Sequence, residues 1–178
     1  MLTLKLDDIP PEGLNLNWTE ERSSLLAYLE NLSQIDFDFE TPLQSEVRVW
    51  KAGRSVLMRG KVRTNLRLQC VRCLKEFSLP ISSTFEVTLY PLKETSYAEE
   101  TKLSENDTES GFYDGGEIRL SEIACEQIFL EIPYKPLCHE ECKGLCPKCG
   151  KDLNLTSCDC VKDEFVSGFS ALKKLKLD

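Results

Sequence analysis

Cysteine spacing constrains this chain more than any other feature. Between Cys138 and Cys160 the sequence reads CHEECKGLCPKCGKDLNLTSCDC, six thiols in 23 residues, and a second C-x-x-C pair, Cys70 and Cys73, stands far upstream. In a turn such as Cys146-Pro147-Lys148-Cys149-Gly150, a tight loop aims both sulfurs at one point. Gly150 can take the positive φ that lets backbone N–H groups face those sulfurs. Each such turn is half of a tetrahedral site. Eight of the nine cysteines fall into close pairs: Cys70 with Cys73, Cys138 with Cys142, Cys146 with Cys149, and Cys158 with Cys160. Two four-thiolate sites follow, and the cofactor they imply is structural zinc, two ions per chain.

Disulfides and a redox dithiol are the competing readings. A disulfide framework belongs to a secreted chain, but MLTLKLDDIPPEG has Asp7 and Asp8 where a signal peptide needs an uncharged apolar core. No apolar run approaches the length of a membrane span. The expectation is a reduced, cytoplasmic protein with no membrane partner. A thioredoxin-like C-x-x-C opens a helix after a strand, whereas Cys70-Val71-Arg72-Cys73 lies between two strand-like runs. The simplest partition closes Cys146, Cys149, Cys158 and Cys160 locally and leaves Cys70 and Cys73 to meet Cys138 and Cys142 across the fold. The alternative, a local site of Cys138, Cys142, Cys146 and Cys149, strands Cys158 and Cys160 with the distant pair. His139 offers a substitute ligand, although adjacent residues rarely both reach one metal. Cys125 lies on the apolar stripe Cys125, Ile128, Phe129, Ile132 of an expected helix and reads as a buried, inert thiol.

The formal net charge of −8 conceals an asymmetry. From Arg48 to Lys75 there are nine basic residues and no Asp or Glu, so the remainder of the chain sums to −17. In KVRTNLRLQC, Lys61, Arg63 and Arg67 fall on one face by strict alternation, while Val62, Leu66 and Leu68 fall on the other. One face is core and the other is cationic. The cationic face reads either as a solvated surface whose Arg and Lys stems cover apolar area or as a phosphate-contacting surface. Only Trp50 and Phe77 flank the block, so contact with a nucleic-acid backbone fits better than stacking on bases.

Along the chain, Leu2 to Leu6 and Leu14 to Trp18 read as strands separated by Pro10-Pro11-Glu12-Gly13. Thr19 reads as the N-cap of a helix carrying its apolar positions from Arg22 to Leu32. Ile35, Phe37 and Phe39 alternate as a strand. Val47 to Lys51 and Val56 to Gly60 flank a hairpin turn at Ala52-Gly53, and strands Lys61 to Gln69 and Phe77 to Leu92 bracket the first thiol pair. Residues 93–110 read as an acidic loop. Glu117 to Leu120 reads as a last strand, Ser121 as the cap of a helix through Leu130, and Phe165 to Leu177 as a terminal helix. The expected class is α+β: an antiparallel β meander or small barrel-like sheet with two or three helices. Residues 1–135 form the main domain, and residues 136–178 a Cys-rich zinc-binding segment packed on it.

Catalytic motifs are missing from this sequence. It has no G-x-x-x-x-G-K-[ST], no G-x-G-x-x-G and no G-x-S-x-G, and its one histidine sits among the thiols. Metal hydrolysis needs an open coordination position, whereas closed thiolate sites are structural. The expectation is a protein that is not an enzyme.

Four stretches together carry a resemblance: GKVRTNLRLQCVRCLKEF, PLCHEECKGLCPKCGKDLN, the closing C-x-C and the final FSALKKL. From about Leu43 onward the chain resembles the YceD family, the bacterial and plastid large ribosomal RNA subunit accumulation proteins. The resemblance implies a non-catalytic ribosome-biogenesis factor promoting synthesis, processing or accumulation of large-subunit rRNA. Its partners would be that rRNA or a precursor large subunit, with a ribosomal protein as a further candidate. It supports Cys70 and Cys73 as a family pair with Arg72 inside it. On this reading Lys61, Arg63, Arg67 and Arg72 face RNA or a partner. The alternative is a zinc-containing protein-interaction adaptor that does not touch RNA. Leu74 stands where other members can have Gly, which argues against an exact copy of the knuckle turn there. Gly168-Phe169 replaces a more usual Pro-Arg.

Overall fold

In the computed structural model, residues 1–29, 37–92 and 110–160 are described. Their largest unit is one six-stranded sheet. Its strands are β2 (Leu14–Glu20), β3 (Phe37–Phe39), β4 (Leu43–Ala52), β5 (Ser55–Gln69), β6 (Glu76–Pro91) and β7 (Ser110–Tyr113). The order is β2-β4-β5-β6-β7, with β3 beside β4 along the same edge of β5. A separate two-stranded sheet joins β1 (Thr3–Lys5) to β8 (Glu117–Arg119). Among the described residues the α-helices are α1 (Arg22–Leu29) and α2 (Leu120–Leu130).

The alternation in the basic block becomes one 15-residue strand rather than two. Val56, Met58, Gly60, Val62, Thr64, Leu66 and Leu68 turn inward, and Arg59, Lys61, Arg63, Asn65 and Arg67 turn outward. β5 pairs with β6 from Val56↔Leu89 to Gln69↔Glu76 in unbroken antiparallel register. The β4–β5 turn rests on Gly53-Arg54, since Ala52 already pairs with Ser55, and Gly53 takes φ +64° in the first loop position. Pro80 sits inside β6 opposite Asn65, where β6 has no second neighbour among the described residues; a missing N–H is tolerated at such an edge.

One layer of helix covers the inner face. Leu120, Ala124, Cys125 and Ile128 of α2 join Val47, Val49, Met58, Val62, Leu66, Ile81 and Phe85 in a single core. Burying these side chains supplies the main stabilisation, about 25 cal/mol for each Å² of apolar surface removed from water. Burial also pushes the Cys125 thiol up to about 12, so it stays a neutral core residue.

Several expectations are corrected by this arrangement. The sheet is open, not a closed barrel, and it is mixed rather than a pure meander, because β7 runs parallel to β6. Thr19 is no helix cap: it pairs with Gln44 inside β2, which continues to Glu20 opposite Leu43, and α1 starts at Arg22. Ser121 is no cap either. It lies inside α2, fully buried, where its hydroxyl donates to the buried Glu20 carboxylate and accepts the Leu2 N–H at 2.6 Å. Ladder pairing and a long-range buried carboxylate outweighed the local capping preference in both cases. Most of the acidic loop, residue 35 and the expected terminal helix lie outside the described residues.

Candidate metal centres and the outer sheet face

The first thiol pair sits at the tip of the β5–β6 hairpin. Cys70 N–H donates to Lys75 O at 2.9 Å and Leu74 N–H to Cys70 O at 2.9 Å. The second knuckle repeats these bonds: Cys146 N–H to Lys151 O at 2.8 Å and Gly150 N–H to Cys146 O at 2.9 Å. Gly150 takes φ +69°, as a glycine readily does; Leu74 takes φ 59°. The knuckle geometry is therefore retained without the glycine, with a non-glycine residue held in the left-handed region at a typical cost of about 1–2 kcal/mol.

Folding gathers the eight paired cysteines into two groups. Cys70, Cys73, Cys138 and Cys142 form an inner cluster, and Cys146, Cys149, Cys158 and Cys160 an outer one; in each group the sulfurs lie within 4.8 Å of one another. Across the inner cluster, Cys70 Sγ and Cys142 Sγ are 3.7 Å apart, and Cys73 Sγ and Cys138 Sγ 3.6 Å. A tetrahedral thiolate site with metal–sulfur bonds of about 2.3 Å spaces its sulfurs by roughly 3.8 Å, so the donor set can hold such an ion. The inner cluster joins residues 65 and 72 positions apart. It is buried at Cys70, Cys73 and Cys142, whereas Cys149 of the outer cluster is exposed. His139 Nδ1 lies 3.1 Å from Cys138 Sγ but is not one of the four clustered ligands.

The thiols are electrostatically divided. Burial opposes ionisation of Cys70, but the backbone N–H groups of Cys138, Cys73 and Arg72 outweigh it and bring the thiol to about 6. Cys146 also stands at about 6, set first by the N–H groups of Cys149 and Lys148. Burial, and then hydrogen bonds with its neighbours, drive Cys138 up to about 12. The hydrogen bond that the Cys160 thiol donates to Cys149, and then burial, do the same to Cys160. Four crowded thiols cannot all ionise side by side; a divalent cation between them removes that repulsion.

Lys61, Arg63 and Arg67 share the outer face of the sheet, but neighbouring strands bring acids that the linear sequence separates from them. Arg59 pairs with Glu86 at 2.5 Å, Arg67 with Glu40 at 3.5 Å, and Lys61 stands opposite Glu46. Arg63 lies between Gln44 and Ser82, with no ion pair among the described residues. Arg48 is flanked by Asn15 and Arg59. Around Arg63 the face thus offers an arginine beside an amide and a hydroxyl, whereas Arg59, Lys61 and Arg67 have carboxylate neighbours. Arg72 is not on it. It belongs to the first knuckle, where its guanidinium donates to the Cys142 carbonyl at 2.7 Å.

A family model, "Large ribosomal RNA subunit accumulation protein YceD", matches residues 58–176, which contain both clusters and most of the basic strand. The chain belongs to the YceD family. Among YceD-family relatives, the chloroplastic large ribosomal RNA subunit accumulation protein YCED homolog 1 of Arabidopsis thaliana is 28% identical over 92% of this chain and 57% of its own length. The Zea mays homolog 1 is 31% identical over 75% of this chain and 53% of its own. An uncharacterized protein of Mycobacterium leprae is 29% identical over 68% and 54%. The chain spans about half the length of these curated relatives. No solved structure gives a significant match. Among the described residues, no helix of this YceD-family chain is long and apolar enough to cross a membrane.

Two features of the site escaped sequence reasoning. Asn154 donates through Nδ2 to Cys142 Sγ at 3.4 Å, and Asp152 pairs with Lys75 at 2.6 Å. The only local signal is the D-x-N that closely follows the second knuckle.

Proposed function

We propose that this protein is a non-catalytic factor in the accumulation of large-subunit ribosomal RNA, in which two structural zinc ions hold a sheet whose outer face meets RNA. The observation that carries the reading is the placement of Lys61, Arg63 and Arg67 along one exposed face, with Arg63 set between Gln44 and Ser82. Arginine, amide and hydroxyl donors on a sheet face suit phosphate and sugar contacts more than base stacking. The inner cluster fastens the Cys-rich segment to the β5–β6 tip, and Arg72 braces that joint. The family's name supports ribosomal RNA as the target, in a compartment that keeps thiols reduced.

A second reading rests on a specific observation. Arg59 and Arg67 already have carboxylate partners, which reduces the cationic excess and favours a protein-interaction adaptor that meets an acidic partner. Binding to a large-subunit rRNA fragment separates the two. Phosphate contact predicts affinity that falls linearly in log–log form with salt, with a slope of about −0.7 to −0.9 per phosphate. No binding at low salt would leave the adaptor.

A further inference from the structure

The two clusters are joined by contacts that end on a sulfur. Leu145 donates its N–H to Arg72 O at 3.1 Å, and Leu153 N–H returns to Gly144 O at 2.9 Å. Gly144, at φ +75°, runs so close to the first knuckle that a Cβ there would lie 2.8 Å from Arg72 O. The chain then turns through the outer knuckle to Asn154. The Asn154 side chain faces back: its Oδ1 accepts the Lys143 N–H at 2.7 Å, and its Nδ2 donates to Asp152 Oδ1 at 2.8 Å and to Cys142 Sγ at 3.4 Å. Asp152 in turn holds Lys75, two residues beyond Cys73. A side chain borne on the loop between Cys149 and Cys158 therefore touches a ligand of the other cluster.

Four thiolates around a divalent cation carry a net charge of about −2, and an N–H donated to sulfur offsets part of it. Outer contacts of this kind typically govern metal affinity by about 10–100-fold. The clusters also differ in access, since three inner sulfurs are buried and Cys149 is exposed. We propose that Asn154 is a positioning residue through which the outer cluster controls metal retention by the inner one. While the outer cluster holds its loop, Asn154 braces Cys142; once the outer cluster is emptied, the brace is lost and the inner metal becomes exchangeable. The inference rests on the reading that both clusters bind metal.

Cobalt(II)-loaded full-length protein tests this, because thiolate-to-cobalt charge-transfer absorption reports tetrahedral sulfur ligation. Chelator challenge of the wild type should release the metal in two phases, fast from the outer cluster and slow from the inner. Asn154→Asp keeps the oxygen that accepts from Lys143 but removes the donor to Cys142. It should accelerate the slow phase about tenfold or more and shift the charge-transfer band, as should Asn154→Ala. Cys149→Ser with Cys160→Ser should remove the fast phase and accelerate the slow one. Circular dichroism of the sheet checks that each variant folds, since the main core excludes these residues. The coupling is overturned if the slow phase of Asn154→Asp and of the double cysteine variant matches wild type. Acceleration by Asn154→Ala alone would overturn the sulfur contact in favour of loop packing. Failure of the wild type to take up two cobalt ions would instead sink the two-cluster reading itself.

Discussion

Removing the metal should release the Cys-rich segment while leaving the sheet folded. Between Leu137 and Cys160 the segment is tied to the body by a few contacts besides the inner cluster: Leu145 N–H to Arg72 O, Arg72 to Cys142 O, and the Lys75–Asp152 ion pair. Each hydrogen bond contributes about 1 kcal/mol net, and the pair, half-exposed at Lys75, no more than about 1 kcal/mol. Together with slight apolar packing on Phe77, these attachments reach only a few kcal/mol. Ordering the backbone costs about 1–2 kcal/mol per residue over some two dozen residues, far more than the attachments return. Structural zinc contributes about 10–16 kcal/mol per site in isolated fingers, so two sites together supply about 20–32 kcal/mol, the scale of the shortfall. The main core contains none of the paired cysteines, so its packing survives. Purified protein should carry two zinc ions per chain by elemental analysis. After chelation, trypsin should cut rapidly at Lys143, Lys148 and Lys151 while circular dichroism keeps its strand signal. Equal resistance to trypsin with and without metal would refute the reasoning.

Replacing Arg63 with Gln should lower the salt slope of RNA binding by about 0.7–0.9 and leave the urea midpoint unmoved, whereas Arg59→Gln, already paired with Glu86, should lower it less; equal slopes in both variants would count against Arg63 as the phosphate contact. Metal uptake should release more protons as the pH falls through about 6, because the depressed thiols Cys70 and Cys146 are ionised above that pH and protonated below it. Affinity then weakens toward acid, and calorimetry in buffers of different ionisation enthalpy reads both effects; a pH-independent proton count would argue against thiolate ligation. Gly60→Ala should destabilise the sheet by about 1–3 kcal/mol, since the new Cβ would meet Val47 Cγ2 at 2.7 Å and Phe85 Cζ at 2.9 Å; an unchanged urea midpoint would show that this packing relaxes.

Much of the architecture was legible because its causes are local. Alternation in KVRTNLRLQC assigns each residue to a face before any partner strand is known, and the knuckle spacing aims each sulfur pair at a point within a single turn. Where reasoning failed, a distant group intervened. Thr19 and Ser121 carry good capping side chains, yet the β2–β4 ladder claims the first and buried Glu20 engages the second. Leu74 argued against a knuckle turn at Cys73, but the surrounding hydrogen bonds hold it at φ 59°.

The amino-acid sequence alone determined that thiols would be paired, that one strand would be cationic on one side, and that no familiar catalytic motif is present. Tertiary structure decided which pairs share a cluster, because Cys142, 72 positions from Cys70, approaches it only through the packing of β6, β7, β8 and α2. It also decided how cationic the outer face is: Glu86, Glu40 and Glu46 arrive from neighbouring strands. The physical reason is the same in both cases. Periodicity and spacing act along the chain, whereas charge and ligand geometry act through space, and only the register of the folded sheet converts one into the other.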